Sequence, residues 1–180
     1  IYMQGFPVTG MPGHELARDW QAGAEAYYGI SVTGYPNLHQ LVGPNTALGH
    51  NSIIFMIEAQ VRYVLDCLRS LRERGADYLD VQPAAQAQFN ERIQLALKDT
   101  VWSSGCRSWY QQADGRNFTI WPYSTWRYWL ETRRVDAAQY RFGRAQNGAL
   151  DPADVGLASK KLRKNSELID GWNATGLVDS

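Results

Sequence analysis

The residues best suited to contacting a ligand lie between Tyr35 and Glu58. They run as Gly43-Pro44-Asn45-Thr46, then Gly49-His50-Asn51-Ser52, then Ile53-Ile54-Phe55-Met56. A short strand, a tight glycine- and proline-bounded loop and the start of a long helix form a ready anion-facing device. The first turn of a helix has unpaired N–H groups at the positive end of its dipole, and they point toward whatever electron-rich group sits there. Glycines let the backbone approach a flat ring closely. The same spelling also describes an ordinary strand-to-helix turn. His50 reads equally as a hydrogen-bonded loop histidine or as a catalytic group.

Other constellations carry less. Ser52 and His50 suggest acyl transfer, but no Gly-x-Ser-x-Gly elbow surrounds the serine. His14, His39 and His50 lack metal-ligand spacing, so no metal is expected. Arg107, Arg116, Arg127, Arg133 and Arg134 interleave with aromatics. Such arginines can bind a nucleotide phosphate or stack on tryptophan in a structural cluster, and the second is the commoner use. The patch Lys160-Lys161-Leu162-Arg163-Lys164 reads as a solvated face.

These groups need elements to position them. Ile54, Ile57, Val61, Val64, Leu65, Leu68 and Leu71 keep helical spacing, with Asn51 or Ser52 as N-cap and Gly75 as the stop. Leu38 to Val42 reads as the strand before the loop, and Tyr27 to Asn37 as connected short strands. Ile1 to Phe6 looks like the tail of a strand. Tyr78-Leu79-Asp80-Val81 is a further strand, and Pro83 opens a second helix through Phe89, Ile93 and Leu97. Asp114-Gly115 marks a β-hairpin between residues 105–112 and 117–121, and Ser124 caps a short helix. The division is residues 1–142 as one α/β unit and 143–180 as a polar, weakly ordered tail.

Composition narrows the function classes. Lys plus Arg balances Asp plus Glu at 18 each, so no global field favours nucleic acid or a membrane surface. Cys67 and Cys106 have no paired spacing, which suits a reducing cytoplasm. Ile53 to Ile57 is far short of the roughly 20 apolar residues that span a bilayer. Seven tryptophans, most of them between Trp102 and Trp129, can form a core, a ligand wall or a stacking platform. Core is the favoured reading.

Several separate motifs in one order resemble the C-terminal part of class B flavoprotein monooxygenases, the flavin-containing and Baeyer–Villiger group. They are Gly5-Phe6, Tyr27-Tyr28-Gly29, Gly34-Tyr35-Pro36-Asn37-Leu38, Gly43-Pro44-Asn45-Thr46 with Gly49-His50-Asn51-Ser52, Cys106-Arg107-Ser108-Trp109-Tyr110, Gly115-Arg116-Asn117 and Trp121-Pro122. The spelling falls on the hydroxyacetophenone-monooxygenase-like side of that group. The resemblance implies the C-terminal part of a two-dinucleotide-binding-domain fold, with FAD contacts at Gly43, Pro44, Asn45, Thr46, Asn51 and Ser52. It also implies that Trp109 borders the nicotinamide cofactor and substrate. Neither Gly-x-Gly-x-x-Gly fingerprint occurs, so both are expected upstream of Ile1.

The resulting expectation is a fragment of an NADPH- and FAD-dependent monooxygenase that oxygenates a ketone or a heteroatom. Alone it should be inactive, with its catalytic residues upstream. Its partners would be a small-molecule substrate, the upstream FAD- and NADPH-binding region, and further copies of itself. The alternative is a stand-alone aromatic-rich binding or assembly module.

Overall fold

In the computed structural model, the described residues are 7–48, 52–98, 116–146 and 149–150. The expected strand tail at Ile1–Phe6, the hairpin turn with the segment before it, and residues 151–180 of the tail lie outside them. So do His50, Asn51, Cys106 and Trp109. Two units are distinguished, Ile1–Phe142 and Gly143–Ser180.

The first unit is built around α2, Ile53–Arg74, after the short α1, Leu16–Asp19. Gly75 ends α2 in the left-handed conformation (φ 57°), where its missing Cβ removes the steric cost, and the Ala76 N–H closes on the Leu71 carbonyl at 3.0 Å. Strand β1, Tyr78–Val81, follows and is buried throughout. Next come α3, Pro83–Lys98, and α4, Thr125–Glu131, whose Ser124 side chain accepts the Arg127 N–H at 3.2 Å. Strand β2, Tyr140–Gly143, pairs with β1. In the second unit β3, Ala145–Gln146, and β4, Ala149–Leu150, form a small antiparallel pair.

The main core joins Met56, Tyr63 and Cys67 of α2 to Leu79 and Val81 of β1, Phe89 and Ile93 of α3, then Trp121, Tyr128 and Tyr140. Each large apolar side chain fully buried there contributes about 1.5–3 kcal/mol. A smaller cluster of Leu16, Ala26, Val32 and Tyr35 holds the N-terminal segment.

Three expected strands need correction. Residues 38–42 do not form a strand: a single bridge joins Ser31 to His39, and Val42 takes φ 56°, which breaks extended pairing. Residues 27–37 are turns rather than connected strands. Tyr28, Gly29, Gly34 and Asn37 all take positive φ, so pairing is limited to the isolated bridges Tyr27–Ser31 and Ser31–His39. The apolar stripe Ile54, Val61, Leu65 and Leu68 faces outward, Ile54 being 63% exposed. The inward face is instead Met56, Ala59, Gln60, Tyr63, Cys67 and Leu71, because Gln60 and Tyr63 find buried hydrogen-bond partners there. Residues 117–121, expected as the second hairpin strand, contribute a parallel bridge between Ile120 and Ala47.

Glu131 ties α4 to α3. Its carboxylate accepts Arg92 at 2.7 Å and Arg127 at 2.8 Å. Burial pushes the carboxyl upward, but the bonds from Arg127 and Arg92 prevail and hold it below its ordinary 4.5. A lowered folded value means that the stabilisation is present above the unfolded value and lost as pH falls through the folded one. Glu131→Gln is therefore expected to cost about 1 kcal/mol at neutral pH. The difference from wild type should shrink as pH falls below 4.5, measured by urea denaturation across the acid range. A pH-independent difference would contradict it.

Candidate functional site

The loop before α2 is held by backbone crossing. Gly43 passes so close to Gly29 that a Cβ on it would lie 2.2 Å from the Gly29 carbonyl oxygen, and a Cβ on Gly29 would lie 2.3 Å from Thr46 Cγ2. Only glycine fits at either position. Gly43, Pro44, Asn45 and Thr46 are all buried, and Thr46 Oγ1 donates to the Gly43 carbonyl at 2.6 Å.

Val42 sits in the left-handed region, where a β-branched residue is strained by about 1–3 kcal/mol. Its N–H donates to Gln60 Oε1 at 2.9 Å. Gln60 Nε2 in turn donates to the Tyr128 hydroxyl at 3.0 Å, and Tyr128 donates to the Tyr28 carbonyl at 2.6 Å. This chain fastens the loop to α2, to α4 and to the Tyr27-Tyr28-Gly29 turn. Burial raises the Tyr128 hydroxyl above its ordinary value, so it remains a neutral donor.

Asn45 works inward. It takes φ 57°, its N–H donates to the Phe118 carbonyl at 2.9 Å, and Nδ2 donates to Asn117 O at 2.8 Å and Ile120 O at 3.2 Å. The Ala47 N–H donates to Thr119 O, and the Trp121 N–H returns a bond to Ala47 O, both at 2.9 Å. Asn117 shapes the receiving segment, with Oδ1 accepting the N–H groups of Thr119 and Ile120 at 2.9 and 3.0 Å. Gln94 of α3 holds Asn117 through both of its backbone groups. Gln60, Gln94 and Asn117 are the site-building residues that the sequence reading passed over. The Gly115-Arg116-Asn117 spelling was their one visible signal.

The donors at 45 and 47 are used internally, while the start of α2 offers further backbone donors. Ser52 occupies the N-cap with an extended backbone, is exposed, and makes no side-chain cap bond. The Phe55 N–H turns back to Ser52 O at 3.2 Å. Exposed Ile53 and Ile54 stand beside the uncapped end. Backbone donors flanked by flat apolar surface suit one electron-rich edge of a planar ring. Asn45 Oδ1 is a buried acceptor with no partner among the described residues. These features fit an isoalloxazine edge.

Burial pushes the Cys67 thiol up to about 12, which keeps it protonated. No group of three His, Cys, Asp or Glu side chains among the described residues could hold a metal ion. His14 bonds Asp19 at 2.7 Å and Tyr35 donates to the same carboxylate at 2.8 Å, a bracket around the smaller core cluster rather than a dyad with a nucleophile. No described helix is long and apolar enough to cross a membrane.

No family model matches the chain. A Baeyer-Villiger monooxygenase of Pseudomonas aeruginosa is 47% identical over 135 residues, which is 74% of this chain and 26% of that protein. A Baeyer-Villiger monooxygenase of Streptomyces coelicolor is 44% identical over 167 residues, 87% of this chain and 31% of that one. Among solved structures, the OTEMO complex with FAD and NADP superposes with a TM-score of 0.62 at 18% identity, over 77% of this chain and 26% of its own. The chain thus spans between about a quarter and a third of the length of these relatives.

Proposed function

From a chain that belongs to the Baeyer–Villiger monooxygenase family as a partial, C-terminal-type segment, we propose that it forms one wall of the flavin site in an NADPH- and FAD-dependent monooxygenase. The observation that carries this reading is the uncapped start of α2, set by a loop whose other donors at Asn45 and Ala47 are already used. Gly43, Pro44, Asn45 and Thr46 fix the path of that loop, while Ser52 stands at the end that would face the ring and Asn51 is assigned there on family likeness. Trp109 is assigned to the nicotinamide and substrate side on family likeness. When bound, FAD supplies the oxygen-activating chemistry and NADPH the reducing equivalents. This chain's residues bind and orient, and with α2's N–H groups they favour negative charge on the ring edge. A ketone or a soft heteroatom is the proposed substrate class.

The segment does not complete the site alone. A helix apolar on both faces belongs between two layers, and α2 presents Ile54, Val61, Leu65 and Leu68 to solvent. We assign Ile54, Val61 and Leu68 to the FAD- and NADPH-binding region, Leu65 opening instead on the cleft beside α4, and expect copies of the isolated chain to associate through them. A cytoplasmic setting accords with the free, buried Cys67.

The test is a chimera in which this chain replaces the matching segment of the Pseudomonas aeruginosa enzyme. It should bind FAD and oxidise NADPH with conversion of a ketone, and light scattering should give it the relative's oligomeric state. The chain alone should self-associate and leave FAD fluorescence unquenched. A folded, soluble chimera without flavin would overturn the reading, as would tight one-to-one FAD binding by the chain alone.

A further inference from the structure

We propose that the cleft between α2 and the end of α4 is a phosphate-binding site, built by Arg62, Arg133 and Arg134 around Trp129. It is separate from the start of α2 and independent of the monooxygenase reading.

Several of the described arginines are held by carboxylates. Arg69 pairs with Asp66, Arg92 and Arg127 with Glu131, Arg116 with Glu25, and Arg141 with buried Asp80. Arg62, Arg133 and Arg134 have no carboxylate partner among the described residues, yet all three line one cleft. Two of them are pre-positioned: the guanidinium carbons of Arg62 and Arg133 lie 5.6 and 4.8 Å from the Trp129 ring centroid. Trp126 stacks on the same indole at 4.6 Å and 20°, which holds the ring in place. Guanidinium groups laid on an aromatic ring keep their N–H forks free for a planar or tetrahedral oxyanion, with less side-chain freedom left to lose on binding.

The acids in the cleft do not cancel this charge. Both carboxylate oxygens of Asp66 are engaged, one by Arg69 at 2.7 Å and the other by the Val135 N–H at 2.9 Å. Glu73 is the remaining acid in the lining, against three arginines with no carboxylate partner among the described residues. Because Trp129 is covered by its own neighbours, recognition there runs through charge rather than through base stacking. Of the arginines the sequence singled out for a phosphate role, the structure spends Arg116 and Arg127 on ion pairs and gathers Arg133 and Arg134 with Arg62, which the sequence did not associate with them. Arg107 lies outside the described residues.

The probe is inorganic phosphate, titrated into the chain by calorimetry at low ionic strength. A parallel arm measures co-sedimentation with phosphatidylcholine vesicles that contain or lack phosphatidic acid. Saturable phosphate binding that falls about tenfold or more in R62E/R133E, but not in R72E on the outer face of α2, supports a soluble phosphate ligand. Binding to phosphatidic acid vesicles alone, lost in the same double variant, supports a lipid headgroup as the source. The charge-neutral R62Q/R133Q variant checks the result should the reversal perturb folding, and it should weaken binding in the same direction. No binding in either arm overturns the proposal. So does binding that R62E/R133E leaves unchanged or that R72E removes equally.

Discussion

Replacing Trp121 with alanine is expected to destabilise the protein by about 3–5 kcal/mol, a large share of the stability of a domain this size. The side chain is 1% exposed. Its ring stacks on Phe89 at 6.5 Å and meets Tyr123 and Tyr128 edge-on at 5.2 and 5.0 Å. Removing it leaves a cavity among aromatic rings too large to collapse into the space. It also removes the bond from the Trp121 indole N–H to the Ser124 carbonyl at 3.1 Å, which then keeps only the Tyr128 N–H of α4 at 3.2 Å. Trp126 is the control. It is the same residue type five positions on and 59% exposed, so Trp126→Ala should change stability by no more than about 0.5 kcal/mol. Urea denaturation of the two variants decides it. Equal costs would show that burial is not what separates these tryptophans.

Asn45→Ala is expected to cost about 2–4 kcal/mol, and its lesson concerns the candidate site. The substitution removes two buried hydrogen bonds and takes the donor from the Ile120 carbonyl, while the Asn117 carbonyl keeps Gln94 Nε2. It also places an alanine at φ 57°, adding about 1 kcal/mol that asparagine largely avoids. Asn45→Gly removes the same bonds without the left-handed penalty, so it should be milder than Asn45→Ala by about that amount. Asn45→Asp should be at least as harmful as alanine, because a buried carboxylate would face two carbonyl oxygens. In the chimera described above, the alanine variant should lose flavin affinity through the displaced start of α2. A variant as stable as wild type, with flavin bound normally, would show that the inward bonds of Asn45 do not set the loop.

Much of the local structure was legible in the residues themselves. The helical period of 54–71, the stop at Gly75, the strand 78–81, the helix opened by Pro83 and the cap at Ser124 all follow from interactions spanning a few residues. Such signals depend on backbone conformation and nearest turns, so a short window contains them. The ordered motifs also pointed to the family before any coordinate was known.

Tertiary structure decided the rest. The period of α2 did not reveal its phase, because both faces carry apolar residues and only Gln60 and Tyr63 discriminate between them. Their partners, Tyr128 and Tyr140, lie 68 and 77 positions away. The expected strand at 38–42 failed for a related reason: Val42 accepts a strained conformation in exchange for a bond to Gln60, which local propensity does not contain. Asn45 read as a ligand contact from its place in a loop motif, yet its amide is bound to carbonyls 72 and 75 positions along the chain. Sequence alone determined α2, β1, α3 and the cap of α4, and the family to which they belong. Which face each element turns inward depends on hydrogen bonds and packing between distant segments, and those exist only once the chain has closed on itself.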